Sequence, residues 1–199
     1  MAIQTFTAGQ ILTAAQMTAL QAQAVMTFTT EAARDTAITA PTEGMVAYLT
    51  APTIPTFTGG CMTIYNGSVW VCVSEQGNTI ATLQSTASAT YVDLATVGPS
   101  VTLVTGTSAI LTISANIIAP SGQGGGMSFA VSGATTIAAS DANGITVGGV
   151  TGGFNASASR TMVISGLTAG TNTFTAKYNS PSTLTSSFRQ RDIAVTGIA

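Results

Sequence analysis

The chain is 199 residues long, 45% hydrophobic and only 6% charged, and more than half of it is Thr, Ala, Gly and Ser. A net charge of −2 with five basic residues excludes a protein that neutralises a nucleic-acid backbone. The chain has no His, and its seven carboxylates form no motif for acid catalysis. We therefore expect a protein without enzymatic activity, metal ion or cofactor.

The apolar content predicts a folded chain, since disorder requires low hydrophobicity together with high net charge. The most apolar stretch, residues 101–119, alternates apolar and polar side chains, which is the pattern of a strand rather than of a membrane span. The first residues show neither a basic segment nor an apolar run with a cleavage site. We expect no membrane insertion and no secretory export.

A helix is predicted over residues 13–25. Thr13 and Gln16 have the spacing of a capping box, and Leu12 and Met17 that of a hydrophobic staple. The apolar stripe of this helix is narrow, which suits packing against partner chains as well as it suits packing on its own domain. The candidate interface residues are Leu12, Met17, Leu20 and Ala24.

A second helix over residues 31–38, capped by Thr30, precedes a strand at residues 45–49 and a hairpin at residues 61–73. Asn66-Gly67 predicts a two-residue turn in this hairpin. Such a turn pairs Cys61 with Cys72 at a separation that a disulfide can bridge, whereas the missing export signal favours reduced thiols.

The two faces of the predicted hairpin differ. Met62, Ile64, Val69, Val71 and Val73 share one face, for which we expect burial. Tyr65 and Trp70 share the other face. They either stack on a ligand such as a sugar ring or cover a small core of their own.

Residues 77–89 lose periodicity, which predicts a linker between an N-terminal module (residues 1–76) and a second domain (residues 90–199). Short alternating segments predict an antiparallel, jelly-roll-like β-sandwich for the second domain. Its expected strands are residues 91–97, 101–104, 108–118, 127–132, 161–165, 171–178 and 188–195. The predicted fold class is thus mainly β: a small α+β module, helix plus β-hairpin, followed by a sandwich.

The glycine clusters at residues 121–126 and 144–153 match no phosphate-binding motif, so we expect them to form turns between strands.

Many outward positions of the expected strands are Thr, and few charges protect the sheet edges. This pattern favours an oligomer in which partner chains cover the edges. Arg189 and Arg191 lie two apart on the last strand and are expected to share a face with Ile193 and Val195. Two interpretations remain for this pair: ion pairs across an interface, or an exposed edge.

Three parts of the sequence carry a family resemblance. They are residues 6–17 (FTAGQILTAAQM), residues 30–35, 41–49 and 65–70 (TEAARD, PTEGMVAYL, YNGSVW), and residues 166–178 with 188–195. They resemble structural proteins of tailed bacteriophages, in particular minor tail and fibre proteins of phages that infect actinobacteria. The resemblance implies a sandwich head similar in layout to trimeric jelly rolls, and it supplies no catalytic residues.

The function expected from these observations is that of a non-enzymatic virion protein, assembled in the bacterial host cytoplasm, that docks through its N-terminal module and displays a β-sandwich. Its expected partners are other tail or capsid proteins and further copies of the chain, with a trimer favoured. Two alternatives stay open. One is a capsid decoration or head-fibre protein. The other is a carbohydrate-binding adhesin domain that contacts a host-surface glycan through Tyr65 and Trp70.

Overall fold

The computed structural model of the chain describes residues 8–9, 11–21, 25–54, 59–148, 151–182 and 184–199. Antiparallel β-strands dominate these residues, and two short α-helices precede most of them. The predicted fold class, a mainly β chain with an N-terminal α+β module and a β-sandwich, is confirmed.

The first helix begins where the sequence predicts. In α1 (Ala14–Gln21), the backbone N–H of Thr13 donates to Gln16 Oε1 (2.9 Å), and the N–H of Gln16 donates to Thr13 Oγ1 (3.3 Å). These two bonds form the expected capping box. The predicted extension of this helix to residue 25 is wrong at its end, since Val25 is not helical; residues 22–24 lie outside the described residues.

The rest of the N-terminal module is a small sheet with one helix beside it. The strands β1 (Met26–Phe28), β2 (Val46–Leu49), β3 (Cys61–Tyr65) and β4 (Trp70–Cys72) lie side by side in that order, and only the β1–β2 pair is parallel. The helix α2 (Glu31–Ala37) begins at the predicted cap, because the N–H of Ala33 donates to Thr30 Oγ1 (3.3 Å).

The predicted two-residue turn in the β3–β4 hairpin is wrong. Tyr65 pairs with Trp70, so four residues connect the strands, and the Asn66 side chain accepts hydrogen bonds from the N–H groups of Ser68 and Val69. The loop shifts the register by two residues, which keeps every side chain on its predicted face. Thr63 rather than Cys61 therefore lies opposite Cys72.

Two antiparallel sheets form the sandwich. The five-stranded sheet has the order β11-β8-β13-β5, with β6 also paired to β13, and the four-stranded sheet has the order β10-β9-β12-β7. The strands are β5 (Gln76–Ile80), β6 (Gln84–Thr86), β7 (Ser100–Thr105), β8 (Ser108–Ala119), β9 (Gly124–Gly133), β10 (Ile145–Gly148), β11 (Phe154–Ser165), β12 (Gly170–Asn179) and β13 (Ser186–Ile198).

The core of the sandwich lies between these two sheets. The alternation predicted for β8 is confirmed, since every second residue from Ala109 to Ile117 is buried. Phe174, Ala176 and Tyr178 on β12 are buried as expected. Ring pairs fill the space between strands: Phe129 with Phe174, 6.3 Å between centroids, and Tyr178 with Phe188, 5.0 Å.

Three predictions about the connections are wrong. Residues 77–89 are not a linker, because β5 and β6 pair with β13 there. Residues 91–97 form only a single bridge, Val92 to Tyr178. The first glycine cluster is not a simple turn, since its second half, from Gly124, belongs to β9. Within that strand, a Cβ on Gly126 would lie 2.3 Å from Asn179 Oδ1. A side chain at position 126 of β9 would thus collide with the Asn179 side chain of β12, which favours glycine at this position.

The hairpin of the N-terminal module packs directly against the sandwich. Cys61 and Cys72 belong to the same cluster of buried side chains as the sandwich core, and their sulfurs form a disulfide. At Gly197 of β13, a Cβ would lie 2.6 Å from the carbonyl oxygen of Cys72, so the two backbones touch. The two parts therefore share one core.

One carboxylate fastens α2 to the segment after β2. Glu31 accepts hydrogen bonds from the N–H groups of Thr53 and Ile54 (2.9–3.1 Å) and from the Thr53 hydroxyl (2.9 Å). Burial works to raise the pKa of Glu31, but these donors stabilise the carboxylate, and the pKa lies below its ordinary value of 4.5. Protonation of Glu31 therefore weakens this contact.

We expect the N-terminal module to lose stability in acid through Glu31. Because its pKa is lower in the folded than in the unfolded chain, its contribution is fully present above the unfolded value and is lost as the pH falls through the folded pKa. Urea midpoints between pH 6 and pH 3, followed by the fluorescence of Trp70, measure this loss. The E31Q variant serves as control, and its pH dependence should be shallower than that of the wild type. Parallel curves for the two proteins would contradict the assignment.

Candidate functional site: the outer face of the five-stranded sheet

The outer face of the five-stranded sheet is covered by small hydroxyl side chains. Thr112 and Thr161 pair across β8 and β11, and Ser85 and Ser187 across β6 and β13, each with 2.8 Å between oxygens. Among the outward residues of the described strands of this five-stranded sheet, only Arg189 and Asp192 carry a charge. The result is an almost uncharged surface that is rich in hydroxyls but also exposes the apolar side chains of Ile110, Val163 and Ile198.

A β-bulge in β13 interrupts this face. Arg189 pairs with Asn116 and Asp192 with Ser114, so two residues of β13 lie opposite the single Ala115 of β8. Gln190, the first of the two, has a φ of 48°, in the left-handed region of backbone conformation that residues other than glycine rarely adopt. The extra residue turns Arg191 towards the core and returns Asp192 to the outer face.

A cavity of about 390 Å³ opens beside the bulge. Its polar lining consists of Ser114, Asn116, Ser157, Ser159, Gln190 and Asp192, and Ala115 and Ala158 lie at its floor. Asp192 accepts hydrogen bonds from the hydroxyls of Thr79 (2.5 Å) and Ser114 (3.0 Å). These bonds hold the carboxylate in place at one side of the cavity.

Arg189 fixes the second polar group of the cavity. Its Nε donates to Asn116 Oδ1 (2.9 Å), and Asn116 Nδ2 in turn donates to Ser157 Oγ (3.3 Å). Asn116 is thus oriented from both sides. In the described part of the chain, the Gln190 carboxamide makes no hydrogen bond, so its donors and acceptor are free.

Arg191 lies on the other side of the bulge and is completely buried. Its guanidinium donates to the carbonyl oxygens of Thr82 (3.4 Å) and Gly98 (3.5 Å) and to Gln84 Oε1 (3.1 Å), and it lies 5.3 Å from the ring centre of Tyr178. Within the described ranges no carboxylate forms an ion pair with it. Neutral oxygens and an aromatic face therefore stabilise this charge.

Tyr178 stays neutral beside Arg191. Burial raises the pKa of its hydroxyl, and the Arg191 charge opposes but does not outweigh that effect. The hydroxyl donates a hydrogen bond to the carbonyl oxygen of Gly98 (3.0 Å), which also accepts one from the Arg191 guanidinium.

The expectation that Arg189 and Arg191 share a face is wrong because of the bulge. Arg189 points outward and Arg191 inward, with Ile193 and Val195. Since β13 lies between β8 and β5, neither arginine is on a sheet edge. Complete burial within the chain also excludes Arg191 from an interface ion pair.

The strand β11 forms an open edge of the five-stranded sheet. It is 12 residues long, and Arg160 is its only charged residue. That side chain reaches back to donate to the carbonyl oxygens of Ala142 (2.7 Å) and Gly144 (3.0 Å). The edge thus has no charge free to prevent pairing with another strand.

The apolar residues of α1 are not covered by the described part of the chain. Leu12 is 40% and Met17 46% exposed, and Leu20 is partly buried. Ala24, the fourth predicted interface residue, lies outside the described residues. The exposed side chains of Leu12 and Met17 are therefore available to a partner.

Of the two interpretations left open for Trp70, the exposed ring that stacks on a ligand is wrong. Trp70 is only 8% exposed, with the guanidinium of Arg34 lying 4.6 Å from its ring centre and Tyr65 5.4 Å away. The alternative, a small core of its own, holds for Trp70. The predicted core face is only partly buried: Val71 is buried as expected, but Met62, Ile64, Val69 and Val73 are half-buried. On the other face, Cys61, Thr63 and Cys72 are buried.

The cavity was not predicted from the sequence, although the sequence of β13 carries a signal for it. Inward positions of a regular strand differ by even numbers, but Phe188 is followed by Ile193 and Val195. This change from even to odd positions requires one extra residue. Gln190 and Asp192 could have been identified from that change.

Neither described helix is both long and apolar enough to span a membrane. No cluster of three or more potential metal ligands occurs among the residues whose positions are described.

The fold and the site define the class of protein: an antiparallel β-sandwich with a hydroxyl-rich outer face and a cavity at a β-bulge. No protein-family model and no curated protein matches the chain. A solved structure of an exo-β-1,3-galactanase from Phanerochaete chrysosporium with galactose is similar over 67% of this chain and 32% of its own, with 12% identity and a TM-score of 0.28. A TM-score of this size does not establish a shared fold, and the likeness assigns this chain neither activity nor ligand.

Replacing Arg191 should destabilise the sandwich strongly. The R191A variant leaves Thr82 O without its donor, removes one of the two donors to Gln84 Oε1 and opens a cavity. We therefore expect a loss of about 3 kcal/mol or more in the free energy of unfolding. The exposed neighbour Arg189 provides the matched control: R189A should change the free energy by about 0.5 kcal/mol. Chemical denaturation of both variants measures the difference, and equal losses would refute the role of Arg191.

Proposed function

We propose that the chain is a non-enzymatic structural protein of a bacteriophage virion, a minor tail or fibre component that docks through its N-terminal module and displays the sandwich. The observation that carries the assembly role is the 12-residue edge of β11, whose one charged side chain, Arg160, is turned back to the carbonyl oxygens of Ala142 and Gly144. Monomeric β-proteins protect such edges with charge, proline or a covering segment, and partner chains are the remaining means of covering. The assignment to a phage rests on the resemblance to tail and fibre proteins of residues 6–17, 30–35, 41–49, 65–70, 166–178 and 188–195.

The helix α1 supports docking as the task of the N-terminal module. Its apolar side chains face solvent, whereas α2 is packed on the hairpin through Arg34 and Trp70. A helix with exposed Leu12 and Met17 gains stability when a partner covers them. The rigid contact between hairpin and sandwich then transmits the docked position to the displayed domain.

A homo-oligomer, with a trimer favoured, follows from the same proposal. Closed cyclic symmetry lets each copy cover the edge of the next without leaving an open end. The hydroxyl-rich outer face permits such contact at little desolvation cost in comparison with charged side chains.

A place on the capsid, as a decoration or head-fibre protein, is the second candidate location. It uses the same docking helix and the same displayed sandwich. An adhesin that stacks a sugar on Trp70 is not compatible with the burial of that ring.

A lysine on the edge of β11 should dissociate the proposed oligomer. Val163 is 65% exposed on that strand, and V163K places a charge where a partner strand would approach. Multi-angle light scattering at micromolar concentration should give a trimer for the wild type and a smaller species for V163K. V97K is the matched control, because Val97 is 60% exposed but lies outside the strands, and it should remain trimeric. A monomeric wild type would refute the oligomer.

Immunogold labelling of intact particles tests the location. Antibody against the sandwich should label the tail or its tip if the chain is a fibre or minor tail component. Label over the head would replace that proposal by capsid decoration, and particles without label would refute a virion protein.

A further inference from the structure

We propose that the cavity beside the β13 bulge binds a neutral sugar ring of a glycan. The proposal goes beyond the structural role of the chain and does not depend on it. It rests on the shape of the cavity, on the hydrogen-bonding groups that line it, and on the backbone conformation that brings them together.

The cavity has the size of a small-molecule site. Its volume of about 390 Å³ lies within the range of about 300–1,000 Å³ that is usual for ligand pockets. It lies on the outer face of the sheet, so a ligand enters without displacing any part of the protein. At its floor, Ala115 and Ala158 project no side chain that would fill it.

The bulge brings the binding groups together. Without the extra residue, a regular β13 would continue with alternate residues outward, and Gln190 and Asp192 would not share the outer face with Arg189. The left-handed conformation of Gln190 costs free energy, and such strain is often found at binding sites. Glycine adopts that conformation without strain, but it would supply no carboxamide.

The lining offers donors and acceptors to an uncharged, hydroxylated ligand. Each Asp192 oxygen accepts one hydrogen bond from the protein and has a further lone pair for a ligand hydroxyl. The Gln190 carboxamide supplies two N–H donors and one acceptor that have no partner in the described part of the chain. Ser157 adds a hydroxyl, which Asn116 holds in place.

The charge and the composition of the cavity lining disfavour anions, divalent cations and apolar ligands. Asp192 is the only charged residue of the lining, and its carboxylate disfavours an anion such as phosphate; the nearby Arg189 is already bonded to Asn116. A single carboxylate is too few for a tight divalent cation site. An apolar ligand would offer no partner to the Gln190 carboxamide or to the remaining lone pairs of Asp192. A neutral sugar satisfies these groups with its own hydroxyls.

The cavity contains no aromatic ring, so a single sugar should bind weakly. Several copies of the chain in one particle would increase the avidity of weak sites for a repetitive glycan. That increase rests on the proposed oligomer, whereas binding of one sugar to one chain does not.

The test is a titration of the isotope-labelled full chain with methyl glycosides of common neutral hexoses and N-acetylhexosamines, followed by NMR. At millimolar sugar, we expect shifts of the side-chain amide signals of Asn116 and Gln190 and of backbone signals at residues 157–159 and 190–192. Shifts spread over the whole surface, or none with any sugar at 50 mM, roughly the weakest binding expected here, would overturn the proposal.

Two variants check the residues. Q190G removes the carboxamide and relieves the backbone, and D192N removes the charge at constant size; each should weaken binding about tenfold. V163A on the same face, outside the cavity, should leave it unchanged. Unaltered affinity in both Q190G and D192N would overturn the site, as would tighter binding of inorganic phosphate than of any sugar. None of these results depends on the oligomeric state or on a place in a virion.

Discussion

The sandwich depends on a charge that is buried without a counter-ion among the described residues. Arg191 reaches carbonyl oxygens on the connection between β5 and β6 and on the loop before β7, and its guanidinium faces a tyrosine of the opposite sheet. One side chain thus joins both sheets and two connecting segments. Because desolvation of a guanidinium is costly, these acceptors must all be in place at once, and this requirement favours a single arrangement of the strands.

The same extra residue in β13 produces the two most unusual features of the molecule. On the inner side it delivers Arg191 to the core, and on the outer side it opens the sheet at Gln190 and Asp192. A change that restored a regular strand would remove the buried charge and the cavity together. The position of the bulge is therefore constrained from both sides of the sheet.

The parts of the fold that follow from local rules were predictable. The caps at Thr13 and Thr30 and the buried alternation of β8 depend on residues close in sequence, and all three are as predicted. The burial of Trp70 depends on Arg34, which is distant in sequence, and the strands within residues 77–89 depend on their pairing with β13. Such contacts leave little periodicity in the segment itself, and for that reason the sequence predicted a linker and left the exposure of Trp70 open.

The cavity depends both on a pattern that is local in the sequence and on contacts with distant residues. Its signal, the change of inward positions after Phe188, is local. The partners of Asp192 and the rest of the lining, however, come from three other strands, β5, β8 and β11. The phase of a strand reveals that a bulge exists. It does not reveal what the neighbouring strands place beside it.

The central position of β13 has a consequence for the order of folding. This strand follows all the other described strands in the chain, yet it lies between β8 and β5, and its Asp192 bonds to a threonine 113 residues earlier. Until it emerges from the ribosome, β8 has an unpaired edge and the five-stranded sheet cannot close. The sandwich must therefore fold after synthesis of nearly all of this sequence, through contacts of long sequence separation that form slowly.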